Sequence, residues 1–113
     1  MTNAKAADGA AGFLLLAACG QSEADKARNK AEMTEIRYQR VAREFVSGVL
    51  KDPESAEFRN QKGFCGEVNS KNSFGGYVGF KRFIAATKEM VVFAGDDRMT
   101  SSEFEKAWSK LCH

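Results

Sequence analysis

The stretch KGFCGEVNSKNSFGGYVGFKRFIAATKEMVVFA, residues 62–94, interleaves aromatic and β-branched residues with turn-forming ones, and its reading decides the fold. Three runs in it have strand composition: residues 62–69 (KGFCGEVN), 76–85 (GYVGFKRFIA) and 89–94 (EMVVFA). The turn-rich NSKNSFGG and the short ATK separate them. Connections this short cannot carry a parallel crossover, so the runs predict a three-stranded antiparallel meander. Side chains alternate along a strand, which puts Val78, Phe80 and Ile84 on one face with Arg82, and Tyr77, Lys81 and Phe83 on the other. One face is expected to pack on helices and the other to stay partly exposed.

Upstream, Ile36, Tyr38, Val41, Ala42, Phe45, Val46, Val49 and Leu50 recur at threes and fours, the spacing of an amphipathic helix whose apolar face belongs to the core. Before it, residues 21–33 (QSEADKARNKAEM) mix alanine with charges, favouring helix while offering little to bury. Lys51-Asp52-Pro53-Glu54 ends the long helix and starts a short one over residues 53–58, because proline is tolerated in a first turn and aspartate caps it. Downstream, residues 95–98 (GDDR) form a turn, and Thr100-Ser101-Ser102-Glu103 contains a hydroxyl residue and an acid at capping-box spacing. A last helix over residues 102–111 carries Phe104, Ala107, Trp108 and Leu111 in one stripe. The fold class is therefore α+β: a long N-terminal helix, a short helix, a three-stranded antiparallel meander and a C-terminal helix packed on the sheet.

With 113 residues the chain has room for one small domain, marginal without a staple. Its 17 basic and 15 acidic residues leave a formal charge of +2, which does not mark a nucleic-acid binder. Lys81-Arg82 among glycines and aromatics invites comparison with an RNA-recognition strand, but the registers do not align. The single histidine is His113, the last residue, so a histidine-based triad or metal cluster lacks parts. Ser47 sits on a helix without the glycine of a nucleophile elbow, and Asp96-Asp97 reads as a solvated corner in a glycine turn. No catalytic residue, metal or cofactor is expected.

The run FLLLAAC, residues 13–19, supplies an address. Leu16-Ala17-Ala18-Cys19 resembles the lipobox of bacterial lipoproteins. The resemblance implies cleavage before Cys19, a diacylglycerol on the Cys19 sulfur and an acylated new amino terminus. On this reading residues 1–18 are a signal peptide with an atypical n-region, 19–35 are the lipidated cysteine and a charged helical stalk, and 36–113 are the α+β domain. Each buried acyl methylene contributes about 0.8 kcal/mol, so two or more chains anchor stably. Gly20, where the family uses aspartate for inner-membrane retention, favours the outer membrane. With Cys19 lipidated in an oxidising compartment, Cys65 and Cys112 are left to pair. In a reducing compartment they read instead as small buried apolar residues.

LKDPESAEFRN (50–60), CGEVNSKNSFGGYVGFKRF (65–83) and FEKAWSKLC (104–112) together resemble a group of small bacterial and phage proteins with no established activity. The resemblance implies a shared domain and no reaction. Within the central run, Asn69, Asn72, Gly75 and Gly76 fit turn geometry, and Tyr77, Phe80 and Phe83 fit a small core. The same run also fits an interaction surface of Asn69, Lys71, Asn72, Phe74, Gly75, Gly76, Tyr77, Lys81 and Phe83, with aromatic and basic anchors of the kind enriched at interfaces. The expectation is a lipid-anchored periplasmic binding domain, joined to the membrane by its anchor and engaging a protein or other envelope component, with no nucleic acid and no small-molecule substrate. The alternatives are a structural subunit of an envelope assembly acting through its N-terminal helix, and a cytoplasmic binding domain with its leader retained.

Overall fold

The computed structural model describes residues 22–112. The leader, the lipid attachment at Cys19 and the reading of His113 lie outside the described residues. The chain divides into two units after Met33, a boundary that falls within the first helix, α1, Glu23–Ser47.

In the first unit, residues 23–33 are helical and largely exposed. Ser22 Oγ accepts the Asp25 N–H at 3.1 Å, and the pairs Glu23–Lys26 and Asp25–Arg28 span one helical turn each. Such exposed pairs contribute a few tenths of a kcal/mol each.

In the second unit, the sheet is a four-stranded antiparallel meander in chain order: β1 (Glu57–Lys62), β2 (Cys65–Asn69), β3 (Lys81–Ala85) and β4 (Val91–Phe93). The sequence predicted three strands. The extra one is β1, and the expected short helix shrinks to a single 3-10 turn, Pro53–Ser55. EFRNQK carries one apolar residue and no alternation, so its strand signal is weak. As an edge strand it needs none, and its exposed charges suit an edge. The register slips between Arg59 and Lys62, where Asn60 takes φ 52°, a bulge that bends this edge. Lys62 pairs with Cys65, so Gly63-Phe64 is a two-residue hairpin turn with Gly63 at φ 56°, not the strand interior the sequence predicted.

The middle run is also shorter than expected. Only residues from Lys81 onward pair as β3, because Gly79 takes φ 97° and turns the chain out of extended geometry. The last strand likewise contracts to Val91–Phe93.

Both faces of the sheet are covered. Phe83, Ala85, Val68 and Val91 form one core with Ala42 and Val46 of α1. Ile84 and Cys65 form a second on the opposite face with Phe104 of α2, Ser101–Leu111. Of the face expected to stay partly exposed, Lys81 and Tyr77 are exposed but Phe83 is fully buried. Alternation holds from Lys81 onward but not for residues 77–80, where Val78 lines a cleft with Val68 and Lys81 and does not share the Ile84 face; two helices cover opposite sides, so consecutive residues 83–85 are all buried. Full burial of a side chain such as Phe83 or Val46 is worth roughly 1.5–3 kcal/mol.

Helix α1 meets the sheet over a shorter stretch than its apolar spacing predicts. Ala42 and Val46 are buried, whereas Ile36 and Val49 remain about half exposed, at 55% and 52%. Polar groups bind the helix to the β1–β2 hairpin instead. The Gly63 N–H donates to Glu35 at 2.7 Å, Gln61 donates to the Gln39 carbonyl at 3.0 Å, and Arg43 donates to the Gln61 side chain at 2.8 Å. Tyr38 lies against Phe64 with ring centroids 4.8 Å apart.

Helix α2 begins at the predicted capping box: Thr100 Oγ1 accepts the Glu103 N–H at 3.1 Å, and Glu103 accepts the Thr100 N–H at 2.9 Å. Arg82 of β3 pairs with Glu105 through both guanidinium ends and stands 5.1 Å from the Phe104 and Trp108 rings. The C-terminal helix packs on the sheet, as expected. Among the described residues no helix is long and apolar enough to cross a membrane.

Candidate functional site

The connection from β2 to β3 does not wander; it folds back on itself as a short finger. Its tip is built by Asn72, whose Oδ1 accepts the N–H groups of Phe74 at 2.9 Å and Gly76 at 3.2 Å. The backbone closes the same turn, with Gly75 N–H donating to the Asn72 carbonyl at 3.0 Å and Asn72 N–H to the Gly76 carbonyl at 2.9 Å. A left-handed residue is required between them, and Gly75 at φ 81° supplies it. Lys71 and Tyr77 then face each other across an isolated bridge.

The base of the finger is tied to the rest of the unit. Lys71 N–H donates to Ser55 Oγ at 2.8 Å, the Tyr77 hydroxyl donates to the Ser55 carbonyl at 3.1 Å, and Ser55 Oγ donates to the Asp52 carbonyl at 2.7 Å. Asn69 Oδ1 accepts the Gly79 N–H at 2.9 Å, fixing the point where the finger rejoins β3. The 3-10 turn that replaces the expected helix thus serves as a mooring for the finger.

What the finger presents is Phe74, 96% exposed at the tip. Tyr77 and Val78 are half exposed beneath it, and the Lys71 ammonium stands 5.6 Å from the Tyr77 ring. Beside the finger a cleft of about 330 Å³ opens toward the turn after β4. Leu50, Val68, Val78 and Phe93 give it an apolar floor, while Lys81 and Asp97 stand in its walls. Asp96, also in the wall, is engaged: Arg98 donates to it from Nε and Nη2. Those side-chain bonds hold the Asp96 carboxyl below its ordinary pKa. Arg98 also donates to the Val91 carbonyl and so ties this turn to β4.

The expected surface divides accordingly. Asn69, Asn72, Gly75 and Gly76 shape the finger, Lys71 and Tyr77 brace it, Phe74 is displayed, and Lys81 belongs to the cleft. Phe83 must be removed from the set, since it lies in the core beneath the sheet. The cleft was not anticipated. Its floor combines residues from the turn after α1, β2, the finger and β4, and no local pattern in the sequence joins positions 50, 68, 78 and 93. Val78 was the one available signal, an apolar residue set between Tyr77 and Gly79 in a turn-rich run.

Away from the finger, Cys65 and Cys112 are brought to disulfide distance, with Cα atoms 5.7 Å apart. Arg59 and Asn60 donate to Glu67 across β1 and β2 at 2.8 and 3.2 Å, holding its pKa below the usual glutamate value, and the Arg59 guanidinium lies 3.7 Å over the Phe80 ring. Among the described residues no group of three or more His, Cys, Asp or Glu side chains gathers where a metal could sit. Compared with protein-family models, with curated proteins and with solved structures, the chain matches none of them.

Proposed function

We propose that the folded unit is a non-catalytic docking domain that engages a protein partner through its finger, and that a lipid on Cys19 holds it at the periplasmic side of a bacterial envelope, on the outer membrane. The display of Phe74 carries the docking half of this reading. A phenylalanine 96% exposed contributes nothing to the core, yet it sits on a turn closed by four hydrogen bonds. A backbone already fixed in position loses little entropy on binding, and burying the ring against a partner contributes roughly 2 kcal/mol, about thirtyfold in Kd. Tethering raises the local concentration, so a modest interface suffices.

The lipobox-like run supports the envelope half. Intact-mass analysis of protein from its native host is expected to show residues 1–18 missing and acyl mass present; a full-length, unmodified chain would overturn the anchoring. Docking is tested separately by affinity capture from detergent-solubilised envelopes with the wild type, Phe74→Ala and the control Met90→Ala, which also removes an exposed apolar side chain. A partner kept by the wild type and the control but lost with Phe74→Ala supports the reading. Equal recovery with all three rules out the finger.

A further inference from the structure

Beyond docking through Phe74, we propose that the cleft beside the finger is a ligand site for a short zwitterionic peptide of dipeptide size, with an aliphatic side chain on its floor, its carboxylate on Lys81 and its ammonium on Asp97. Size comes first: a volume of about 330 Å³ is at the small end of ligand clefts and too small for a folded segment. The floor comes second. Val68 is already buried, but Val78 is half exposed and Leu50 and Phe93 are partly so, and an aliphatic group entering the cleft would remove their apolar surface from water.

The charges decide the ligand class. Asp96 is taken by Arg98, whereas neither Lys81 nor Asp97 has an ion pair among the described residues. The cleft therefore offers one cation and one carboxylate flanking an apolar floor. A ligand with a single charge would pair with one of these exposed groups and gain nothing from the other. A neutral apolar ligand would gain from neither. A free peptide carries the two opposite charges at its ends with a side chain between them, the complement of this lining.

The test is an NMR titration of the full chain with leucyl-leucine, N-acetyl-leucyl-leucine and leucyl-leucinamide. Leucyl-leucine is expected to give saturable shifts at the Val68, Ser70, Val78 and Gly95 amides, with each blocked peptide binding about two- to fivefold more weakly. Lys81→Gln should erase the preference for a free carboxylate, and Asp97→Asn the preference for a free amine. Both side chains are exposed, so the variants keep their amide dispersion; Met90→Ser should behave as wild type. Absence of saturable shifts overturns the proposal, as does equal affinity for the three peptides, which marks a merely greasy groove. Protein capture through Phe74 is read in a different assay, so the two readings fail separately.

Discussion

Gly66 of β2 faces Phe83 of β3 across the sheet, and the spacing leaves no room for a side chain. A Cβ there would stand 3.0 Å from the Phe83 ring and 3.0 Å from Gln61 Cγ. Gln61 can yield, being held only by its own hydrogen bonds to α1. Phe83 cannot, because it is fully buried and edge-on to Phe58, with centroids 5.9 Å apart. Gly66→Ala is therefore expected to destabilise the fold by roughly 1–3 kcal/mol through overpacking. A urea denaturation midpoint lowered at unchanged m-value would show it, while an unchanged midpoint would mean that the ring relocates freely. The requirement for glycine here could not be read from the sequence, where CGEVN looks like any glycine-weakened strand. Alternation did place Phe83 opposite Ile84, and that held. What alternation cannot say is how many layers lie outside the sheet, and so Phe83 fitted both a small core and an exposed surface; the core is where it lies.

Among the elements, the finger shows most clearly which parts were legible. Asn72 and Gly75 announced a turn because a short amide side chain and a missing Cβ suit left-handed geometry, and both occupy that turn. The place where β3 begins was hidden, since Tyr77, Val78 and Phe80 have strand composition while Gly79 breaks the extension. β1 was hidden for the opposite reason: EFRNQK pairs through its backbone with hardly an apolar residue to advertise it. The finger's rigidity is open to measurement. Asn72→Ala removes two accepted bonds at exposed amides, so global stability should fall by no more than about 1 kcal/mol. Amide exchange at Phe74 and Gly76 should nonetheless rise severalfold, and partner capture should weaken although Phe74 is untouched. Unchanged exchange would show that the two backbone bonds alone hold the tip. A second element prediction concerns α2, whose capping box was legible from Thr100 and Glu103. Thr100→Ala should cost about 1 kcal/mol, read from the same urea midpoint.

For the whole molecule, two kinds of tie hold the fold, charged hydrogen bonds and a covalent bond, and they answer to different solution conditions. Glu67, Asp96, Glu103 and Glu105 all have pKa values lowered in the folded protein, the first by hydrogen bonds from Arg59, the second by those from Arg98, the third by the Thr100 backbone N–H and the last by those from Arg82. A lowered folded pKa means that the stabilisation is complete above the unfolded value, about 4 for carboxyl groups, and lost as pH falls through the folded values. Urea midpoints should thus be level from pH 6 to 8 and decline below about pH 4; a decline toward neutral or alkaline pH would contradict these pairings. The covalent tie is indifferent to acid but not to thiols. A bond between Cys65 and Cys112 closes a loop of sequence separation 47, which in the chain-entropy model restrains the unfolded chain by about 4 kcal/mol. Small domains commonly have 5–15 kcal/mol in all, so the bond would be a large share of the total. Helix α2 also makes noncovalent contacts of its own: Phe104 is buried, and Arg82 donates to Glu105. The paired variant Cys65→Ser/Cys112→Ser should accordingly keep the fold, lose roughly 2–4 kcal/mol and show a larger m-value, because its unfolded chain exposes more surface. Dithiothreitol should bring the wild type to the same midpoint. If oxidised and reduced wild type unfold together, the two sulfurs are neighbours that do not bond, and the staple argument for this small fold fails.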